Sequence, residues 1–144
     1  MGIFVKQSLK IFIYIVLINC WSKVLISNQI DLNAAKQEFI NGNYDKSILL
    51  ASKINTLESM IFLSRTISIY TNFFKKGEEA KESYIKAYNI AKKALLINEN
   101  NTLAYTEAAH ALGRYGQEIG IMSAITEGIA TRVKTYLDKA LDLD

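Results

Sequence analysis

The sequence contains no proline, one cysteine and one histidine among its 144 residues. Because proline is the residue that most strongly interrupts a helix, its absence lets helical stretches run without a break. β-Branched residues do not alternate with polar residues over any long window, as they do in half-buried strands. Half of the residues are apolar, which is enough to bury a sizeable core. These features predict a single all-α domain.

Cysteine and histidine are too scarce for the commonest protein metal sites. Cys20 has no second cysteine with which to form an intramolecular disulfide or a multi-cysteine metal site. The only histidine, His110, likewise cannot complete a zinc site of the usual His and Cys kind. We therefore expect no metal and no cofactor.

The positive charge of the chain is concentrated near its N-terminus. The formal net charge is +3, and Lys6, Lys10 and Lys23 precede the first acidic residue, Asp31. The remainder is neutral, with 14 Lys and Arg against 14 Asp and Glu. Nucleic-acid binding requires clustered positive charge that displaces counterions from phosphates. A nucleic-acid partner is therefore not expected.

The N-terminus has the layout of a secretory signal. Residues 1–10 carry two lysines and no acid, and residues 11–18 (IFIYIVLI) form an unbroken apolar run. This run is shorter than the roughly 20 apolar residues of a membrane-spanning helix. We predict a signal peptide or signal anchor at residues 1–27, a folded domain at residues 28–144, and export to the periplasm or the periplasmic face of the inner membrane.

Four fates of this segment stay open. A soluble protein results from cleavage after Ser22 or Ser27, which are small residues. The sequence Ile18-Asn19-Cys20 is similar to a bacterial lipobox, which would lipidate Cys20, although asparagine replaces the usual small residue. The third fate is an uncut anchor, extended by residues 24–26, and the fourth is an ordinary buried first helix.

From Asp31 onward, apolar residues recur at helical spacing between short polar breaks. Asp31 is the predicted N-cap of the first helix, and the breaks lie at residues 41–43, at Gly77 and at residues 98–101. The pattern predicts six helices at about 31–40, 44–55, 56–75, 78–97, 102–115 and 125–143. Neighbouring helices joined by short turns form three antiparallel hairpins.

The segment AKKALLINENNTLAYTEAA at residues 91–109 resembles the junction of a tetratricopeptide repeat. In that junction a helix ending Ala-Leu-x-Leu is followed by a polar turn and by a helix with an aromatic and then a small residue. The matching residues are Ala94, Leu95, Ile97, Asn98 to Asn101, Tyr105 and Ala109. The usual proline is absent, with Glu99 in its place. The resemblance implies a stack of hairpins in which the first helix of each lines a concave surface.

The ending recurs at Ala140 to Leu143, 46 residues after the first copy, whereas the standard tetratricopeptide period is about 34 residues. The extra residues lie around Gly113 to Gly128. This stretch resembles the longer, divergent repeats of exported bacterial proteins similar to the TRAP-transporter-associated tetratricopeptide protein, and of the regulator of microtubule dynamics family. Because the chain stops flush with a predicted helix, we expect it to be the front part of a longer array.

Two polar stripes mark a candidate binding surface. Glu107, His110 and Arg114 follow one another at steps of three and four on the fifth predicted helix. Stacking would place them beside Arg65, Ser68 and Asn72 of the third helix. Such a groove can grip a carboxylate or a peptide backbone. The alternative is a solvated helix face with no ligand.

The glycine-rich stretch and the Glu107–His110 pair also allow other interpretations. The glycines from Gly113 to Gly128 lack the preceding strand and the Gly-Lys-Ser/Thr of a phosphate loop, so nucleotide binding is not expected. They predict a kinked helix or loop that folds Ile119, Ile121 and Met122 onto the core, or else a lid over a groove. Glu107 and His110 could act as an acid/base pair, but no serine or cysteine lies in an activating motif.

Aromatic residues recur on the third and fourth predicted helices at core spacing, with a ligand pocket as the alternative. They are Tyr70, Phe73, Phe74, Tyr84 and Tyr88.

The sequence thus predicts a non-catalytic, exported adaptor that binds a protein or peptide partner through a concave groove. The alternative is an accessory component of a TRAP-type transport system that holds an apolar small molecule between hairpins.

Overall fold

The computed structural model describes the backbone of residues 2–144 and the side chains of residues 17, 18 and 22–144. Within residues 2–144 the chain forms seven helices and no strand, which confirms the all-α class. The helices are α1 (Gly2–Ile40), α2 (Tyr44–Ser52), α3 (Leu57–Phe74), α4 (Gly77–Ile97), α5 (Thr102–Ile119), α6 (Ile121–Thr126) and α7 (Ile129–Asp142).

The helices pack largely in chain order. Each contacts the next along the chain, and α5 also contacts α3 and α7. Small residues line these contacts: Ala87 and Ala91 of α4 and Ala108 and Ala111 of α5 are completely buried. Ser64 of α3 donates a hydrogen bond to the carbonyl oxygen of Ala87 at 2.9 Å, so a side chain of α3 reaches the backbone of α4. Alanine and serine permit this close approach.

The predicted start of the first helix at Asp31 is wrong. Helix α1 runs without interruption from Gly2 to Ile40 and passes through Asp31, whose side chain is exposed. No glycine or proline lies between residues 3 and 40, so nothing in the sequence forces a break there. Among the described side chains of α1, the fully buried ones are Leu32 and Ala35, both inside the predicted folded domain.

The part of α1 that precedes Leu32 exposes a series of apolar side chains. They are Leu17, Ile18, Val24, Leu25, Ile26 and Ile30. Among the residues with described side chains, none of the helices combines the length and hydropathy needed to cross a bilayer. The side chains of the predicted apolar run up to residue 16 and of Cys20 lie outside the described residues.

Several predicted helix boundaries are confirmed, and each has a local cause. Gly42 closes the turn after α1 with a φ of 78°, a left-handed conformation that glycine adopts at little cost. Thr56 caps α3: its hydroxyl accepts from Ser59 N at 3.2 Å, while Ser59 Oγ accepts from Thr56 N at 3.0 Å. Asn101 caps α5 by accepting from Ala104 N at 2.9 Å. Helix α2, in contrast, ends at Ser52, short of its predicted end near residue 55.

The glycine-rich stretch differs from its prediction. Helix α5 continues through Gly113 and Gly116 to Ile119 instead of ending near residue 115. The predicted last helix is divided into α6 and α7 at Gly128, which has a left-handed φ of 65°. Ile119 packs against the core as expected. Ile121 and Met122 do not fold back, because they are 79% and 76% exposed.

Candidate binding groove between α3 and α5

An ion pair joins α3 to α5 at the predicted surface. Arg65 of α3 places Nη2 at 2.6 Å and Nε at 2.7 Å from the same oxygen, Oε1, of Glu107 on α5. Both residues occupy positions that the sequence assigns to the facing stripes of the third and fifth helices. The structure therefore brings these two predicted residues together directly. We call the surface formed by Arg65, Glu107, His110 and Arg114 the α3–α5 groove.

The carboxylate of Glu107 is buried, although its position on the polar stripe predicts an exposed side chain. It is only 3% exposed, because α3 packs over it, while the Arg65 side chain remains about half exposed. Its second oxygen, Oε2, has no hydrogen-bond partner among the described residues. A buried carboxylate is stable only when it is paired, so Arg65 compensates one oxygen while Oε2 stays buried without a hydrogen bond from the described residues.

His110 lies one turn beyond Glu107, with Nδ1 at 4.0 Å from Glu107 Oε2. Partial burial lowers the pKa of His110 below its ordinary value of 6.5, and the positive charges of Arg114 and Arg65 lower the pKa further. The negative charge of Glu107 acts in the opposite direction. The imidazole is therefore neutral at neutral pH and presents one donor and one acceptor nitrogen to the groove.

Arg114 completes the stripe on α5, where it is half-buried. Its Nη1 donates to Gln117 Oε1 at 3.2 Å, which leaves its other donors unused by that bond. The same positive charge opposes the effect of burial, which raises the pKa of Tyr84 on α4. With His110 neutral and Glu107 balanced by Arg65, the α3–α5 groove carries a net positive charge from Arg114.

Two predicted groove residues have different surroundings. Ser68 is 1% exposed, so its assignment to an open surface is wrong. It lies one turn from Ser64, on the side of α3 that hydrogen-bonds to α4, and its Oγ has no partner among the described residues. Asn72 is exposed near the end of α3. The polar stripe on α3 is thus divided between a helix interface and the surface.

The predicted aromatic set is divided in the same way. Tyr84 and Tyr88 are buried, whereas Phe73 and Phe74 are 69% and 62% exposed. Tyr70 stacks with Phe74 at a ring separation of 5.1 Å. The core interpretation is therefore confirmed for the tyrosines of α4 and wrong for the phenylalanines of α3.

Two clefts border α5 at other positions, and the sequence predicted neither outline. One has a volume of about 390 Å³ and lies between α1, α3 and α5, with Leu25 and Leu32, Ile61, and Leu103 among its walls. The other, of about 490 Å³, lies between α5, α6 and α7 beside Gly113 and Gly116. The first was missed because Leu25 falls within the predicted signal segment, and the second because α6 was not predicted.

Across the described side chains, no group of three or more His, Cys, Asp or Glu residues is arranged to hold a metal ion. The chain matches no family model, no curated protein and no solved structure. The resemblance to tetratricopeptide repeats stays a prediction that depends on the junction at residues 91–109.

Proposed function

We propose that this protein is an exported, non-catalytic, tetratricopeptide-like adaptor that binds a protein or peptide through the α3–α5 groove. The observation that supports the proposal is the lateral contact between α3 and α5, where Arg65 meets Glu107 at 2.6 Å. In a tetratricopeptide-like stack these two helices are the first of their hairpins, so their shared surface is concave. Each helix contacts the next along the chain, and α5 also contacts α3, which is compatible with such a stack.

The groove offers both the hydrogen-bond donors and the acceptors that a peptide backbone requires. Arg65 and Arg114 supply guanidinium donors for a carboxylate or for backbone carbonyl oxygens. His110, which is exposed beside them, offers one donor and one acceptor nitrogen to the peptide backbone. Because the net charge is positive, the preferred peptide is acidic. No nucleic acid is proposed as a partner.

The experiment is photo-cross-linking in the native host, with a cross-linking amino acid placed at the exposed Asn72. We expect a discrete adduct that disappears when Arg114→Glu reverses the charge of the groove. Lys86→Glu is the matched control, because Lys86 is exposed on α4, outside the α3–α5 groove. An adduct that survives Arg114→Glu, or one that Lys86→Glu removes equally, contradicts the proposal.

The proposed location is the periplasm or the periplasmic face of the inner membrane. The support is the positively charged start, followed by the apolar run of residues 11–18. The intact mass of the mature protein distinguishes cleavage after Ser22 or Ser27 from lipidation at Cys20 and from an uncut anchor. A full-length mass in a cytoplasmic fraction contradicts export.

A second proposal is an accessory component of a TRAP-type transport system that holds an apolar small molecule. The cleft of about 390 Å³ favours it, because this volume lies in the range of ligand pockets and leucine and isoleucine line its walls. Native mass spectrometry of protein purified from its host tests this function. A co-purifying hydrophobic ligand, released by Ile61→Arg, supports it, and a ligand-free mass contradicts it.

A further inference from the structure

A tyrosine pair flanked by two cations connects α4 with α7, on elements that the α3–α5 groove does not use. The hydroxyls of Tyr88 and Tyr136 are 2.9 Å apart, and Arg132 Nη2 donates to Tyr88 Oη at 3.0 Å. Lys92 Nζ and Arg132 Cζ lie 5.2 Å and 5.4 Å from the centre of the Tyr88 ring. The ring of Tyr105 on α5 also lies against the Tyr136 ring, with 6.1 Å between their centres.

The hydrogen bonds of this cluster leave one proton without an acceptor. Each phenol carries one proton, and the contact between the two hydroxyls uses one of the two. Arg132 is a donor only, so it accepts neither. If Tyr136 donates to Tyr88, the Tyr88 proton is left over, and the opposite order leaves that of Tyr136. In either arrangement one phenolic O–H requires an acceptor beyond Tyr88, Tyr136 and Arg132.

The charges around the cluster are positive and lack carboxylate partners. Neither Lys92 nor Arg132 is within ion-pair distance of an Asp or Glu among residues 22–144. Glu127 makes only the weakest of the contributions that favour charged Arg132. Both cations are exposed, so an ion in solution can reach them. Lysines that do form salt bridges, such as Lys134 with Asp138, are neutralised by their carboxylate partners.

The acidities of the two phenols are consistent with this arrangement. Burial raises the pKa of Tyr88, but hydrogen bonds from Tyr136 and Arg132 and the charges of Arg132 and Lys92 outweigh burial and lower it overall. Burial and the bond to Tyr88 raise the pKa of Tyr136 to about 12. Either hydroxyl can donate in the bond that Tyr88 and Tyr136 share, so one proton of the pair remains for an outside acceptor.

We propose that Lys92, Arg132 and the unused proton of the Tyr88–Tyr136 pair form a binding site for a phosphate dianion, either free or as the phosphomonoester of a small molecule. Two unpaired cations match two negative charges, whereas a single carboxylate leaves one cation uncompensated. Arginine suits the spaced oxygens of a phosphate, lysine adds a compact charge, and the phenol supplies a neutral donor. This site is independent of the peptide-binding function proposed above, because it lies on α4 and α7.

The test is a titration of the full chain with inorganic phosphate at constant ionic strength, in which the amide NMR signals are monitored at each addition. At about pH 8 a phosphomonoester is a dianion, since its second pKa is about 6, and inorganic phosphate is mostly in the same charge state. We expect saturable shifts of the Lys92 and Arg132 amides. Affinity should fall by at least about tenfold, equal to about 1.4 kcal/mol, in Lys92→Gln and in Arg132→Gln.

Lys134→Gln is the matched control, since it removes an exposed cation from the same helix but one that pairs with Asp138. It should leave phosphate affinity within about twofold, and acetate should bind more weakly than phosphate by about tenfold. The proposal fails if wild type shows no saturable shifts, if Lys134→Gln weakens binding as much as Arg132→Gln, or if acetate equals phosphate. Because Lys92 is exposed, Lys92→Gln is expected to fold normally and keeps the test decisive.

Discussion

Glu107 shows how one residue links stability to the proposed groove. Its carboxylate is 3% exposed and receives two bonds from Arg65 on a single oxygen, while Oε2 remains unpaired. A pair of this kind contributes little net stability relative to apolar residues. Removal of one partner is nevertheless costly, because the other charge then stays buried without compensation.

Replacement of Arg65 should therefore cost more than neutralisation of Glu107. Arg65→Ala is expected to lower the free energy of unfolding by about 2 kcal/mol, a value below the full cost for a buried pair because Arg65 is half exposed. Glu107→Gln should cost about 1 kcal/mol, and the double variant should be more stable than Arg65→Ala alone. Urea denaturation measures all three, and the opposite ranking would refute this account of the pair.

The pH dependence of stability should carry a contribution from His110. Its pKa is lower in the folded protein than the ordinary 6.5, because burial and two arginines disfavour the imidazolium. The unfolded chain therefore binds the proton more readily, and stability is lost as pH falls through 6.5 toward the folded pKa. In thermal melts between about pH 7.5 and 5.5, wild type should lose more stability than His110→Gln. Equal losses would contradict the assignment.

At the scale of elements, Gly116 explains why α5 tolerates glycine where the sequence predicts its end. A Cβ at Gly116 would lie 2.9 Å from Ile129 Cγ2, so the absent side chain lets α7 pack against α5. The Gly116→Ala variant should be destabilised by about 2 kcal/mol, because steric overlap outweighs the gain of about 1 kcal/mol in helix propensity. Chemical denaturation measures the difference.

Gly113→Ala is the control on the same helix, three residues earlier. A Cβ there would be 3.9 Å from Val133 Cγ2, an ordinary contact. The variant should therefore be more stable than wild type by up to about 1 kcal/mol, because alanine favours the helix. If both substitutions change stability in the same direction, packing against Ile129 does not determine the position of α7.

Helix starts were predictable where a side chain caps the backbone, and not where tertiary packing decides. Thr56 and Asn101 mark the starts of α3 and α5, because their side chains accept hydrogen bonds from backbone N–H groups in the first turns of these helices. The extension of α5 and the division between α6 and α7 depend on the fit of Gly116 to Ile129, which local spacing does not encode. Asp31 failed as a start signal because no breaker precedes it.

For the whole molecule, the tetratricopeptide resemblance implied that the polar stripes of α3 and α5 meet, but not how deeply each side chain is buried. The contact between Arg65 and Glu107 agrees with that expectation, whereas the burial of Ser68 and Glu107 depends on the rotation of each helix about its axis. The bond between Tyr88 and Tyr136 joins residues 48 positions apart, with α5 and α6 between them in the chain. A contact of this kind leaves no periodic signal in one sequence.

The boundary of the folded domain at residue 28 provides a test at this scale. Among the described side chains of α1 that precede Leu32, almost every one is exposed, and Leu32 is the first that is fully buried. We therefore expect a chain of residues 28–144 to have a free energy of unfolding within about 1 kcal/mol of that of the full chain, because exposed side chains contribute little to stability. Leu32→Ala in the same chain should cost about 3 kcal/mol, since Leu32 is 2% exposed. Urea denaturation compares the three proteins. A large loss on removal of residues 1–27 would make that segment part of the folded domain and would contradict its assignment as a leader or anchor.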